Sequence, residues 1–174
     1  MKIIEKLNEE KKLFSKKENI YYFLLITAIF IFDRASKIEI IKNFSEEVYY
    51  LNNFLNIDLI WNIGIGFGLL SFDSELVYNS VTTIIGFVIL ILIYVANSAE
   101  NSEKLIYTVI IGGALGNYYD RLTLNAVPDF IDLHYNEYHW FTFNIADIFI
   151  TIGIIAFLFK GLLIKNKYMK KIIS

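Results

Sequence analysis

Two carboxylates, Asp129 and Asp147, stand on either side of an apolar entry into what composition marks as a lipid-compatible chain. Like charges held close together in a weakly polar site cannot both ionise cheaply, so one proton is shared and one apparent pKa rises. The ionised member can then take a proton from water while the protonated member polarises a carbonyl, which is amide hydrolysis by acid/base catalysis. Competing chemistries are few. The chain has no cysteine, which removes thiol nucleophiles, disulfides and thiolate metal sites. His134 and His139, the only histidines, lie beside Tyr135 and Trp140 in a connecting segment and have an interfacial character. There is no His-Glu zinc signature either. If the chain is a hydrolase, it is an aspartyl one, with no metal or cofactor expected.

Each aspartate has its own setting. Asp147 lies in the stretch Phe143-Asn144-Ile145-Ala146-Asp147-Ile148 at the start of an apolar span, with Asn144 three residues before it. A carboxylate at the centre of a span costs about 2.5 to 3.5 kcal/mol, less near an interface, so Asp147 must face a wet cavity or a partner. Asp129 follows Pro128, the only proline, which pushes Val127 toward an extended conformation and prevents a continuous helix into the next span. Asp132 competes with Asp129 for the same role, and spacing alone does not choose between them.

The elements that must position these groups are membrane helices. With 56% hydrophobic and 17% aromatic residues and a mean hydropathy of +0.49, the chain exceeds what a soluble core of 174 residues needs. Four stretches, about 19–41, 76–96, 105–122 and 141–163, approach the roughly 20 helical residues that span a bilayer. Lysines gather before the first stretch and after the fourth, and Lys104 lies between the second and third, which predicts both termini in the cytoplasm. The run 20–32 resembles a leader, but it ends in Asp33 and Arg34 without a small-residue cleavage signal, so it is expected to remain as a span. No basic patch of the nucleic-acid kind is present. The expectation is therefore an all-α integral membrane protein of one domain, residues 1–174. It has four transmembrane helices, charged cytoplasmic tails at 1–18 and 164–174, and a small extracytoplasmic β element between spans one and two.

That β element rests on the alternation of Leu55, Ile57, Leu59 and Trp61 with more polar neighbours, which is the period of a strand. It runs into Asn62 and Gly64, followed by further alternate glycines at 66 and 68 that permit tight turns. Within the spans, Asp33 and Lys37 are four residues apart and can pair on one helix face, whether buried or snorkelling outward. Gly112, Gly113 and Gly116 offer a small-residue face for close helix packing. Asn117, Asp120 and Arg121 follow them, and packing does not explain that polar triad.

Taken in order, DRASK at 33–37, NIGIGFG at 62–68, GGALGNYYDR at 112–121, VPDF at 127–130 and FNIAD at 143–147 resemble the bacterial lipoprotein signal peptidases, the signal peptidase II family. The resemblance covers about residues 20–163. It implies a membrane aspartyl endopeptidase that removes the signal peptide of prolipoproteins just before the diacylglyceryl-modified cysteine. By the same resemblance Asp129 and Asp147 are the catalytic dyad, while Asp33, Lys37, Asn62, Gly64, Asn117, Arg121, Asn144 and Ala146 line or support the pocket. The implied partners are lipidated prolipoproteins and membrane lipids, with the protein a monomer in the inner membrane and its site at the extracytoplasmic face. Arg34, Ile65, Gly66 and Pro128 depart from what many relatives carry, which leaves loop flexibility and substrate preference open. A small ion or proton transporter that uses the intramembrane charges is the alternative.

Overall fold

The computed structural model describes residues 17–64 and 75–173, with side chains described for residues 19–64 and 75–162. Gly66, Gly68 and most of the N-terminal charged tail lie outside the described residues. Helix α1 runs Lys17–Asn43, and strands β1 (Tyr49–Asn52) and β2 (Leu55–Asn62) follow it. Helices α2 (Glu75–Ser98) and α3 (Asn101–Leu124) come next, then strands β3 (Val127–Tyr135) and β4 (Tyr138–Phe143), and helix α4 (Ile145–Ile173).

The strand expected at Leu55–Asn62 is present, but it is not an isolated element between two helices. The four strands form one antiparallel sheet in the order β1-β2-β3-β4. The second connection, read from sequence only as a break at Pro128, supplies half of that sheet, so an all-α description with one small β element understates it. The fourth helix accordingly starts at Ile145 instead of near residue 141. Residues 141–143 belong to β4, because an apolar aromatic run scores the same whether it is strand or helix.

Local chemistry sets the boundaries. Helix α3 ends where Asn125 adopts a left-handed backbone with φ 55°, a conformation that asparagine tolerates better than most residues. The β1–β2 turn is held by Asn52, whose side-chain oxygen accepts from the amides of Phe54 and Leu55 at 2.9 and 3.1 Å. The β3–β4 turn places Asn136 at φ 54°.

The glycine face of α3 packs two helices at once. A Cβ at Gly112 would sit 2.9 Å from Ile29 of α1, and one at Gly113 would sit 2.5 Å from the Ala146 carbonyl oxygen of α4. Only residues without side chains allow both approaches. Helices α2 and α4 are long and apolar enough to cross a membrane. They also turn large side chains outward, including Phe87, Leu90 and Ile91 on α2 and Phe157, Leu158 and Phe159 on α4. Apolar surface on that scale suits lipid and not water. Helices α1 and α3 are as long but carry the buried charges, which lowers their mean hydropathy.

Candidate active site

The polar residues converge where the C-terminal parts of α1 and α3 meet the start of α4 and the β2–β3 pair. Helix α4 begins with a reciprocal cap. The Asn144 side-chain oxygen accepts from the Asp147 amide at 3.1 Å, and the Asp147 carboxylate accepts from the Asn144 amide at 3.2 Å. Each satisfies a donor that a helix start leaves open. The Ala146 amide, another such donor, gives its proton to Asp33 at 2.9 Å. Ala146 has no exposed surface and lies against Gly113 and Gly116, so its place in the set is one of backbone and close packing.

Asn144 also reaches across to the sheet. Its side-chain amide donates to Asp129 at 2.6 Å, and Asn62 donates to the other Asp129 oxygen at 2.8 Å. Asn62 pairs with Val127 across the β2–β3 ladder, so Asp129 is its diagonal neighbour on the same face. A bulge lies in β2 between Ile57 and Ile60, the residue opposite Asp129, in the kind of place where bulges re-aim side chains. Asn62 in turn accepts from the Gly64 amide at 2.8 Å, and the Gly64 carbonyl accepts from Arg121 at 2.5 Å.

On the other side, Asn117 donates to Asp147 at 2.8 Å while its oxygen accepts from Lys37 at 2.8 Å. Lys37 also donates to Asp33 at 2.8 Å and to Asp120 at 2.7 Å, and Arg34 forms a second ion pair with Asp120. The Arg34 guanidinium lies over the Tyr119 ring, 4.9 Å from its centre. Asp33, Lys37 and Asp120 are fully buried, so the pair at 33 and 37 does not snorkel. Asp129, Asp147 and the eight residues expected to line or support the pocket therefore join one continuous network, together with Asp120 of the polar triad, and Arg34 adds to it.

Asp129 is 2% exposed. Its burial, and next the charge of Asp147, push its carboxyl up to about 7 from an ordinary value near 3.8. The two carboxylates feel each other, and Asn144 bonds to both. Each accepts two hydrogen bonds and retains lone pairs for a water or a substrate group.

Asp132 does not join them. It lies three residues from Asp129 on the same strand and so on the opposite face. There its carboxylate accepts from Asn56 at 3.2 Å and lies 2.7 Å from His139 Nδ1. The His139 ring stacks on that of His134, with centres 5.4 Å apart.

A four-stranded sheet set against a helical bundle with an apolar exterior fits an integral membrane protein, and solved structures of membrane enzymes share this fold. Two structures of bacterial membrane enzymes match with TM-scores of 0.68 and 0.67 and identities of 28% and 27%, over 82% of this chain and 87% and 92% of theirs.

The family model for signal peptidase (SPase) II matches residues 25–163, and the chain belongs to that family of proteases. A lipoprotein signal peptidase of Pelagibacter ubique is 46% identical over 154 residues, 86% of this chain and 93% of that protein. One from Anaplasma marginale is 36% identical over 145 residues, 82% and 84% respectively.

Proposed function

We propose that this protein cleaves the signal peptide from prolipoproteins immediately before the diacylglyceryl-modified cysteine, with Asp129 and Asp147 activating the attacking water. The observation that carries the reading is Asn144, which hydrogen-bonds both carboxylates and ties the strand bearing one to the helix bearing the other. A carboxyl pushed up to about 7 is still about half protonated at neutrality and more so below it, which suits Asp129 to the role of acid. Asp129 donates a hydrogen bond to the scissile carbonyl, and ionised Asp147 removes a proton from the water. The water oxygen bonds to the carbonyl carbon to give a tetrahedral diol. The C–N bond then breaks as a proton passes from the dyad to the departing nitrogen of the cysteine, which leaves as an amine.

The topology that serves this chemistry is four spans in one membrane domain, with both lysine-rich ends in the cytoplasm and the sheet outside. The substrate is itself a membrane helix ending in a lipidated cysteine, so its scissile amide arrives at the outer interface, where the carboxylates lie. The protein works as a monomer. Transport of ions or protons is not favoured, because the relatives are peptidases and the buried charges bond to one another in a closed network.

The test is cleavage of a diacylglyceryl-modified prolipoprotein by the purified protein in detergent, beside Asp129→Asn and Asp147→Asn and with a chelator present. Chelator-resistant cleavage that both variants lose supports the reading. Activity retained in either variant, or abolished by the chelator, refutes the metal-independent dyad.

A further inference from the structure

Among the described residues, three buried polar groups beside the candidate site have no hydrogen-bond partner. They are the Tyr78 hydroxyl, the Thr82 hydroxyl and Nη1 of Arg121, on residues 7%, 6% and 6% exposed. Tyr78 and Thr82 lie one turn apart on α2. The Arg121 guanidinium rests over the Tyr78 ring, 5.6 Å from its centre, while its Nη2 is fixed on the Gly64 carbonyl. The Tyr78 hydroxyl lies close to both Thr82 and Arg121, yet no pair of the three bonds with good geometry. Buried polar atoms nearly always find partners, so three orphans side by side describe a place prepared for a group that arrives from elsewhere.

The chemistry of that group follows from the donors. A phenol, an alcohol and a guanidinium N–H share one complement, an oxygen acceptor. Two features select an uncharged acceptor over an anion. One arm of the Arg121 fork is already committed, so the bidentate grip that Arg gives phosphate or carboxylate is lost. Glu75 also lines the adjoining cleft of about 320 Å³, together with Tyr78, Ile63, Asn79 and Asn125. We propose that Tyr78, Thr82 and Arg121 form a notch that receives an uncharged carbonyl oxygen of the lipidated substrate, making Tyr78 and Thr82 binding residues. The proposal rests on the peptidase reading and extends it. The carbonyl belongs either to the peptide backbone or to an ester of the diacylglyceryl group.

Tyr78→Phe is the decisive variant, because it keeps the ring under Arg121 and removes only the hydroxyl. Cleavage kinetics are measured on two lipopeptides that differ only in carrying a diacylglyceryl or a dialkylglyceryl group, the latter without ester carbonyls. Loss of a contact made equally in ground and transition states raises KM and spares kcat. The expected result is a rise in KM of about three- to ten-fold, the range for one neutral hydrogen bond. An equal rise on both lipopeptides assigns the peptide carbonyl, and a rise only with the diacylglyceryl form assigns the ester. Unchanged KM overturns the proposal, whether kcat is intact or falls, since the hydroxyl would then serve only a water or the placement of Arg121. Equilibrium binding of the same lipopeptides to Asp129→Asn, with and without Tyr78→Phe, separates the two readings. If wild-type protein cleaves neither lipopeptide but Tyr78→Phe weakens binding, the peptidase reading falls and the notch stands. If cleavage proceeds and Tyr78→Phe changes neither KM nor binding, the notch falls alone.

Discussion

Lys37→Met is the most severe test of the buried network. The ammonium spends all three of its protons on Asp33, Asn117 and Asp120. With Arg34 also on Asp120, the cluster sets two carboxylates against two cations. Methionine keeps much of the apolar stem but leaves one negative charge unbalanced where Asp33 and Asp120 have no exposed surface. Removing one partner of a buried pair costs about 3 to 5 kcal/mol. At about 2 to 4 °C per kcal/mol for a chain of this size, that lowers the thermal midpoint by roughly 6 to 20 °C. The assay is thermal unfolding of purified protein in detergent, with Asp33→Asn in the Lys37→Met background as the companion. The double variant restores charge balance and should recover more than half of the loss. Cleavage should also fall, because Lys37 fixes which end of the Asn117 amide faces Asp147. A single variant within 2 °C of wild type, or a double variant no better than the single, would refute the claim that an uncompensated buried charge sets the cost.

Four further outcomes are expected. Because the folded protein holds the Asp129 proton up to about pH 7 while an unfolded carboxyl releases it near 3.8, this group's contribution is full below about pH 4. It is lost as pH rises through about 7, on the order of 4 kcal/mol in all. Wild-type midpoints should therefore fall across that window more steeply than those of Asp129→Asn, and wild-type cleavage should decline above about pH 7; parallel stability curves for the two proteins would count against the raised value. Gly113→Ala, whose Cβ meets the Ala146 carbonyl, should destabilise by about 1 to 3 kcal/mol and cut cleavage at least about ten-fold. Gly161→Ala, with nothing within 4 Å, should be neutral in both assays. Asp132→Asn should cost about 1 to 2 kcal/mol through its bonds to Asn56 and His139 and leave cleavage within about five-fold of wild type; if it abolishes cleavage while Asp129→Asn does not, the dyad is misassigned.

The polar residues were legible in the sequence because lipid makes them conspicuous. Asp33, Lys37, Asn117, Asn144 and Asp147 sit in otherwise apolar stretches, and the structure brings them together. The sheet was harder to read. Leu55–Asn62 alternates plainly, but Val127–Tyr135 is buried at nearly every position in its first half, which erases the alternation. The choice between Asp129 and Asp132 depended on that strand, since an odd separation sends two side chains to opposite faces. One signal was available and passed over. Asn144 followed three residues later by Asp147, just ahead of an apolar run, is the pattern of a helix cap, and it marks the start of α4. The orphaned hydroxyls of Tyr78 and Thr82 left no such trace, because α2 reads as a uniform lipid-facing span.

The reciprocal cap at Asn144 also bears on how the protein is made. The carboxylate at 129 is held by a residue that takes up its position only when α4 begins, and the carboxylate at 147 belongs to that helix's first turn. A ribosome must therefore deliver nearly the whole chain before any of this chemistry can be assembled. Chains that stop short of α4 carry neither half of the cap and cannot bring the two carboxylates together. Placing the last structural step of assembly at the two carboxylates makes synthesis of α4 the event that completes their network.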